Sequence, residues 1–208
     1  MKKFILFLFL NFIFTQVSIQ SIPKSFLENE VFIPQEITLP KVNVGQLIEE
    51  DRLEMQSNEI KPYRFAKTMY VDLDMNNSGT WTVLEDGSSI WQLRIKSTGA
   101  YSLNLIYEVF NVPPGAELFL FSENHDTILG AFTDLNHKPH GGFSTAPIQG
   151  EIVILEYNEP RNSIFNGEIS ISSVSHDYKN IFSKNSSRGY GDSGSCNNNV
   201  NCSEGDDW

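Results

Sequence analysis

Ser88-Ser-Ile-Trp-Gln-Leu-Arg-Ile-Lys96 is the stretch that decides the fold class. Trp91, Leu93 and Ile95 alternate with Gln92, Arg94 and Lys96, the two-residue period of a strand with one buried face. The rhythm continues outward. Thr68 to Met75 alternates Met69, Val71 and Leu73 with polar neighbours, and Tyr101, Leu103, Leu105, Tyr107 and Val109 repeat it. Glu117 to Phe121, Ile128 to Phe132, Glu151 to Tyr157 and Glu168 to Val174 complete the set. Asp86-Gly87, Ser97-Thr-Gly99, Pro113-Pro-Gly115, His140-Gly-Gly142 and Asn166-Gly167 supply the turns between them. About eight or nine short strands with few helices predict a mainly β domain over residues 62–182, an antiparallel β-sandwich of jelly-roll-like topology, with a barrel as the alternative.

Residues 21–61 are expected to be irregular, broken by Pro23, Pro34 and Pro40, and to drape over the sandwich. One helix is predicted near Val44 to Met55, where Val44, Leu47, Ile48 and Leu53 would share a face. Ahead of this zone, Met1-Lys2-Lys3 precedes an apolar run from Phe4 to Phe14 and small or polar residues from Thr15 to Ser21. That sequence of regions describes a secretory signal peptide over residues 1–20. The run is well short of the roughly 20 residues a bilayer span needs. A secreted protein that is not membrane-embedded is therefore expected.

Fifteen basic and 26 acidic residues give a formal net charge of -11, and loss of Lys2 and Lys3 with the leader takes it to -13. Such a surface repels phosphate backbones, so nucleic acid is not an expected partner. Roughly 165 residues between leader and tail suffice for one domain burying about two-thirds of its surface. That domain contains no cysteine and must hold together by packing.

The tail has a different texture. Residues 183–195 read as a flexible Gly/Ser-rich linker, either one whose backbone presents itself to a processing protease or an ordinary interdomain linker that is never cut. Residues 196–208, with Cys196 and Cys202, resemble the disordered opening stub of a further domain. Gly191-Asp-Ser-Gly194 imitates a serine-protease nucleophile loop, but no histidine base, acid or bracing wall accompanies it, so no catalytic residue is assigned. His125, His137, His140 and His176 fall near loops and strand ends and are expected at the surface. A zinc site needs three or four convergent ligands. Asp72-x-Asp74-x-Asn76 fails as a calcium loop, because Asn77 stands in place of the turning glycine and Val83 in place of the bidentate glutamate. No metal and no cofactor are expected. Trp81, Trp91, Tyr101 and Tyr107 are expected in the core; exposed together on one sheet face they would instead stack sugar rings.

Several of these blocks resemble the pro-region of secreted bacterial lysyl endopeptidases, which are trypsin-like serine proteases. They are Trp81-x9-Trp91-Gln-Leu-Arg-Ile, Gly99-Ala-Tyr-Ser-Leu-Asn-Leu105, Pro114-Gly-Ala-Glu-Leu-Phe119, Leu129-Gly-Ala-Phe-Thr133, Thr145-Ala-Pro-Ile-Gln-Gly150 and Ile154-Leu-Glu-Tyr157-x2-Pro160. Tyr63-Arg-Phe65 resembles the start of that region, and Gly191 to Gly205 is similar to the start of the mature enzyme. The resemblance implies that maturation leaves Gly191 or a neighbour as the new amino terminus. It also implies that Cys196 and Cys202 each form a disulfide with a partner further along the protease domain. The family matures after lysine, whereas Tyr190 precedes Gly191 here. Lys184 and Arg188 are then the nearest basic processing candidates, so either cutting occurs upstream with trimming or another protease cuts.

By the same resemblance, the catalytic triad would follow Trp208, and the chain itself would not be an enzyme. Its partner would be its own downstream protease domain, which it would help to fold and keep inactive until cleavage. Physically, a folded partner lowers the ordering cost of a slow all-β domain, and a tether supplies high effective concentration. The competing expectation is a stand-alone secreted sandwich that binds glycan or a cell-surface partner. In that case Cys196 and Cys202 could bond to one another, closing a small loop.

Overall fold

The computed structural model describes residues 18–28, 32–56 and 62–183. Among these residues the chain is mainly β, arranged as two sheets. Its elements are β1 (Gln35–Thr38), α1 (Val44–Met55), β2 (Ala66–Asp74), β3 (Thr80–Val83), β4 (Ser89–Lys96) and β5 (Ser102–Asn111). They continue with β6 (Glu117–Ser122), β7 (Ile128–Phe132), β8 (Phe143–Ser144), β9 (Ile148–Gln149), β10 (Ile152–Glu159) and β11 (Glu168–Asp177). No helix among the described residues is long and apolar enough to cross a membrane.

The first sheet runs β1-β4-β10-β6-β7, with β3 also on β4. The second runs β2-β11-β5-β8, with β9 also on β5. Connections cross from sheet to sheet except at β3–β4, β6–β7 and β8–β9. Strands far apart in sequence are thus neighbours: β4 pairs antiparallel with β10, and β2 with β11.

Alternation fills the space between the sheets. Trp91, Leu93 and Ile95 of β4, Val153, Leu155 and Tyr157 of β10, and Leu118 and Leu120 of β6 belong to one buried cluster with side chains of the second sheet. Leu103, Leu105, Tyr107 and Phe110 of β5 and Ile169, Ile171 and Val174 of β11 supply the other half. Each such leucine or isoleucine contributes about 1.5–3 kcal/mol by leaving water. At the far end of β5 the expected Val109 is only half-buried, and Phe110 takes the inward place. A register shift opposite Ile171 moves the parity by one residue there.

The segment before β2 is less irregular than its prolines suggest. β1 adds a parallel strand to the outer edge of β4 over Leu93 to Lys96, while β3 covers the same edge over Ser89 to Gln92. Thr80 Oγ1 accepts from Gln35 N at 3.1 Å, and Gln35 Oε1 accepts from Gly79 N at 2.6 Å, which ties the two short strands together. α1 begins at the N-cap Asn43, whose Oδ1 accepts from Gln46 N at 3.2 Å. Its buried residues are Leu47 and Asp51, one turn apart, whereas Ile48 and Leu53 are exposed. The helix therefore docks by a single leucine and a carboxylate rather than by the expected apolar stripe.

Candidate functional site

Lys184, Arg188, Tyr190, Gly191, Cys196 and Cys202, the expected processing and disulfide residues, lie outside the described residues. What the structure places is the point from which the chain departs toward them. β11 ends at Asp177, and the following turn is wound around that side chain. Asp177 Oδ1 accepts from Lys179 N at 2.8 Å and Asn180 N at 2.9 Å, and Oδ2 accepts from Ile181 N at 3.2 Å and Ser102 Oγ at 2.8 Å. Four donors converge on one buried carboxylate.

Immediately beyond it, Tyr178 and Lys179 are clamped to α1. Asp51, only 7% exposed, accepts from Tyr178 Oη at 2.9 Å and from Lys179 Nζ at 2.6 Å through Oδ2. Arg64, at the start of the run into β2, reaches Asp51 Oδ1 through Nε at 2.9 Å and Nη2 at 2.7 Å, and also pairs with Glu50 at 3.2 Å. Burial pushes the Asp51 carboxyl up, but hydrogen bonds from Lys179, Arg64 and Tyr178 outweigh it and hold the group below the usual carboxylate range. Burial, then the hydrogen bond to Asp51, pushes the Tyr178 phenol up to about 12. Asp51 pairing raises the Arg64 guanidinium in turn. The result is a charged latch that fixes the residues just after β11 to α1. Sequence gave no cue to it, because Glu49, Glu50 and Asp51 are equivalent acids in a polar helix until the fold chooses one.

The histidines divide differently from expectation. His125, His137 and His140 are exposed, but His176 is fully buried. Its Nδ1 lies 2.7 Å from Ser97 Oγ, and Nε2 has no partner. This Ser–His contact is sealed from solvent on both sides and offers no access to a substrate. Burial pushes the imidazole below its ordinary value, against the opposing pull of the Asp177 and Glu151 carboxylates. Lys67 is its cross-strand neighbour on β2.

A pH dependence follows. The fold accepts the neutral ring, so the folded state binds the proton less readily than the unfolded chain. Its contribution is complete at pH 7 and is lost as pH falls below the ordinary histidine range. Urea midpoints of the wild type are expected to drop between pH 7 and pH 5, and His176→Asn to flatten that drop. An equally steep decline in the variant would show that other groups cause it.

Of the four aromatic residues, Trp91 and Tyr107 are core, as expected, but Trp81 and Tyr101 are 43% and 51% exposed. They do not share a sheet face. Trp81 pairs opposite Trp91 near the start of β4, and Tyr101 follows the turn beyond its far end. Trp81 donates from Nε1 to Met75 O at 3.0 Å and packs edge-on against Tyr157 at 6.2 Å. It borders an open cavity of about 440 Å³ with Asn76, Glu159, Asn166, Glu168 and Ser170. Asp74 is occupied in its own turn, accepting from Asn76 N at 2.6 Å and Asn77 N at 2.8 Å. Among the described residues, no three of the His, Cys, Asp and Glu side chains are placed to hold a metal ion.

No protein-family model matches the chain, and no solved structure matches it.

Proposed function

We propose that this chain is the exported pro-region of a trypsin-like serine protease of the lysyl endopeptidase type, and that it folds and restrains a protease domain encoded after it. The observation that carries the reading is the resemblance of six sequence blocks, ordered along β4, β5, β6, β7, β9 and β10 of one folded unit. The segment resembling the mature amino terminus, Gly191 to Gly205, comes next in the chain. The back-and-forth strand order is read as that of a jelly roll.

The latch around Asp51 supports a tethering role. A restraint acting in cis works through effective concentration, which depends on a fixed exit point for the tether. Tyr178 and Lys179 provide one. On this reading residues 1–20 direct export, the catalytic residues belong to the following domain, and the chain alone has no hydrolytic activity. Purified chain is expected to leave a lysyl ester substrate intact and to slow its hydrolysis by the separately prepared downstream protease domain. Turnover by the chain itself, or an unchanged protease rate at saturating chain, would contradict the proposal.

A second reading, a secreted glycan-binding sandwich, is favoured only by Trp81 and the amide and carboxylate groups around its cavity. Quenching of tryptophan fluorescence by oligosaccharides, abolished by Trp81→Ala, is the result that would support it.

A further inference from the structure

The outer face of the first sheet is not an ordinary solvent face. Phe119 and Phe121 of β6 with Ile152 and Ile154 of β10 form a second buried cluster there, and Glu156 continues the row fully buried. Residues 18–28 cover it. Ile19 exchanges two backbone hydrogen bonds with Ala131 of β7, at 3.1 and 3.0 Å, as an added edge strand would. Lys24 Nζ reaches Ser88 Oγ at 2.8 Å, on the far side of the sheet. Between these points Ser25 donates to Glu156 twice, from its backbone N at 3.1 Å and from its hydroxyl. Phe26 stacks on His125 at 4.4 Å and meets the edge of Phe121 at 5.0 Å.

This strap is held by these directional contacts and by one side chain, Phe26, packed partly buried against the cluster. Pro23 is buried, but Ile19, Ile22 and Leu27 all face solvent. Segments with few buried apolar contacts open at low cost. Beneath the strap lies a recognition surface with features of its own. Glu156, oriented by Gln92 Nε2 at 2.9 Å, grips both donors of one hydroxyl residue. His125 and Phe121 receive an aromatic ring on the next residue. Two places further along the same face of β10, Asn158 is 2% exposed, and neither atom of its amide has a partner. A buried amide with both hydrogen-bonding functions unmet is costly, and a further peptide group would satisfy it.

We propose that this face is a peptide-recognition groove, occupied in cis by residues 21–28, which outlast removal of the leader, and that its external ligand is an extended peptide carrying a hydroxyl residue followed by an aromatic one. The strap is then a built-in competitor. This assignment is independent of the protease reading and stands or falls without it.

The test uses the exported chain, residues 21–208, and a fluorescent synthetic peptide with the sequence of residues 21–28. Ser25→Ala/Phe26→Ala in the chain weakens the strap and is expected to raise affinity for the peptide at least tenfold over wild type. Adding Glu156→Gln is expected to lower it again by about tenfold, the scale of one hydrogen bond to a charged group. A folded strap-weakened chain that does not bind, or binding indifferent to Glu156→Gln, would overturn the proposal. Hydrogen exchange on the wild type gives a second check that needs no variant. The amide of Ser25, bonded to Glu156, is expected to exchange well ahead of those of β10. Equal protection would make residues 21–28 a permanent part of the fold and overturn the proposal.

Discussion

Trp91→Ala is expected to cost the domain about 3–5 kcal/mol, the range for deleting a large buried aromatic side chain. Trp91 is fully buried, lies between the sheets beside Leu93 and Ile95, and pairs opposite Trp81. It also donates from Nε1 to Ser78 O at 2.8 Å, so the deletion leaves a buried carbonyl without its partner as well as a cavity. The turn between β2 and β3 is built around this ring. Gly79 has φ +83°, and a Cβ placed there would stand 2.2 Å from the indole nitrogen. Only glycine permits both the backbone conformation and the approach. Gly79→Ala should therefore destabilise through the same contact, while leaving the indole in place. Domains of this size hold only about 5–15 kcal/mol, so Trp91→Ala removes a large share of the margin. Urea unfolding followed by far-ultraviolet circular dichroism measures it. A loss below about 1 kcal/mol would mean that the sheets can close over the vacancy.

Asp51→Ala is the second large effect, about 3 kcal/mol. Removing one partner from a buried ion network leaves the others desolvated without compensation. Arg64 and Lys179 keep 32% and 19% of their side-chain surface exposed, which places the loss at the lower end of the range for such networks. Tyr178 loses its carboxylate acceptor too and keeps only the longer contact to Arg64 O at 3.4 Å. The corresponding fall in Tm is roughly 6–12 °C for a domain of this length. The sign with pH is opposite to ordinary charge repulsion. Because Asp51 is held below the usual carboxylate range, the latch is at full strength above the ordinary carboxyl pKa and is lost as pH falls through the folded value. Local readout matters more than the total. Hydrogen exchange should rise in residues 178–183 and in α1 before it rises in β10. Uniform loosening would show that the latch stabilises the sandwich as a whole and does not specifically hold its exit.

The strands that could be read in the sequence were those long enough to show their period. β4 is the clearest, since Trp91, Leu93 and Ile95 fall inward and Arg94 outward as alternation requires. β1 and β3, four residues each, are too short to display a period, and β8 and β9 are shorter still. The burial of His176 was hidden by a bulge. Counting by twos from Ile169 and Ile171 sends Ser173 and Ser175 inward, but the register shifts between Ile171 and Ser173, so Val174 and His176 take the core positions. Glu156 and Gln92 were illegible for another reason. Gln92 sits on the face of β4 turned away from the main core, and Glu156 shares its face of β10 with Ile152 and Ile154. Ser25, far away in sequence, lies against Glu156, which in turn accepts from Gln92. In α1 the sequence favoured an apolar face, and the fold instead chose an acid whose partners come from residues 64, 178 and 179. Local pattern reports which side of a strand is apolar. It does not report what later covers the other side.

The proposed restraint of a downstream protease by this sandwich is tested most directly by sequencing the transcript past the codon for Trp208. The expected result is an open frame that continues into a domain supplying cysteine partners for Cys196 and Cys202, a catalytic histidine and acid, and a later Gly-x-Ser-Gly loop. A stop codon directly after Trp208 would contradict it, since the sandwich would then have no protease to fold or restrain.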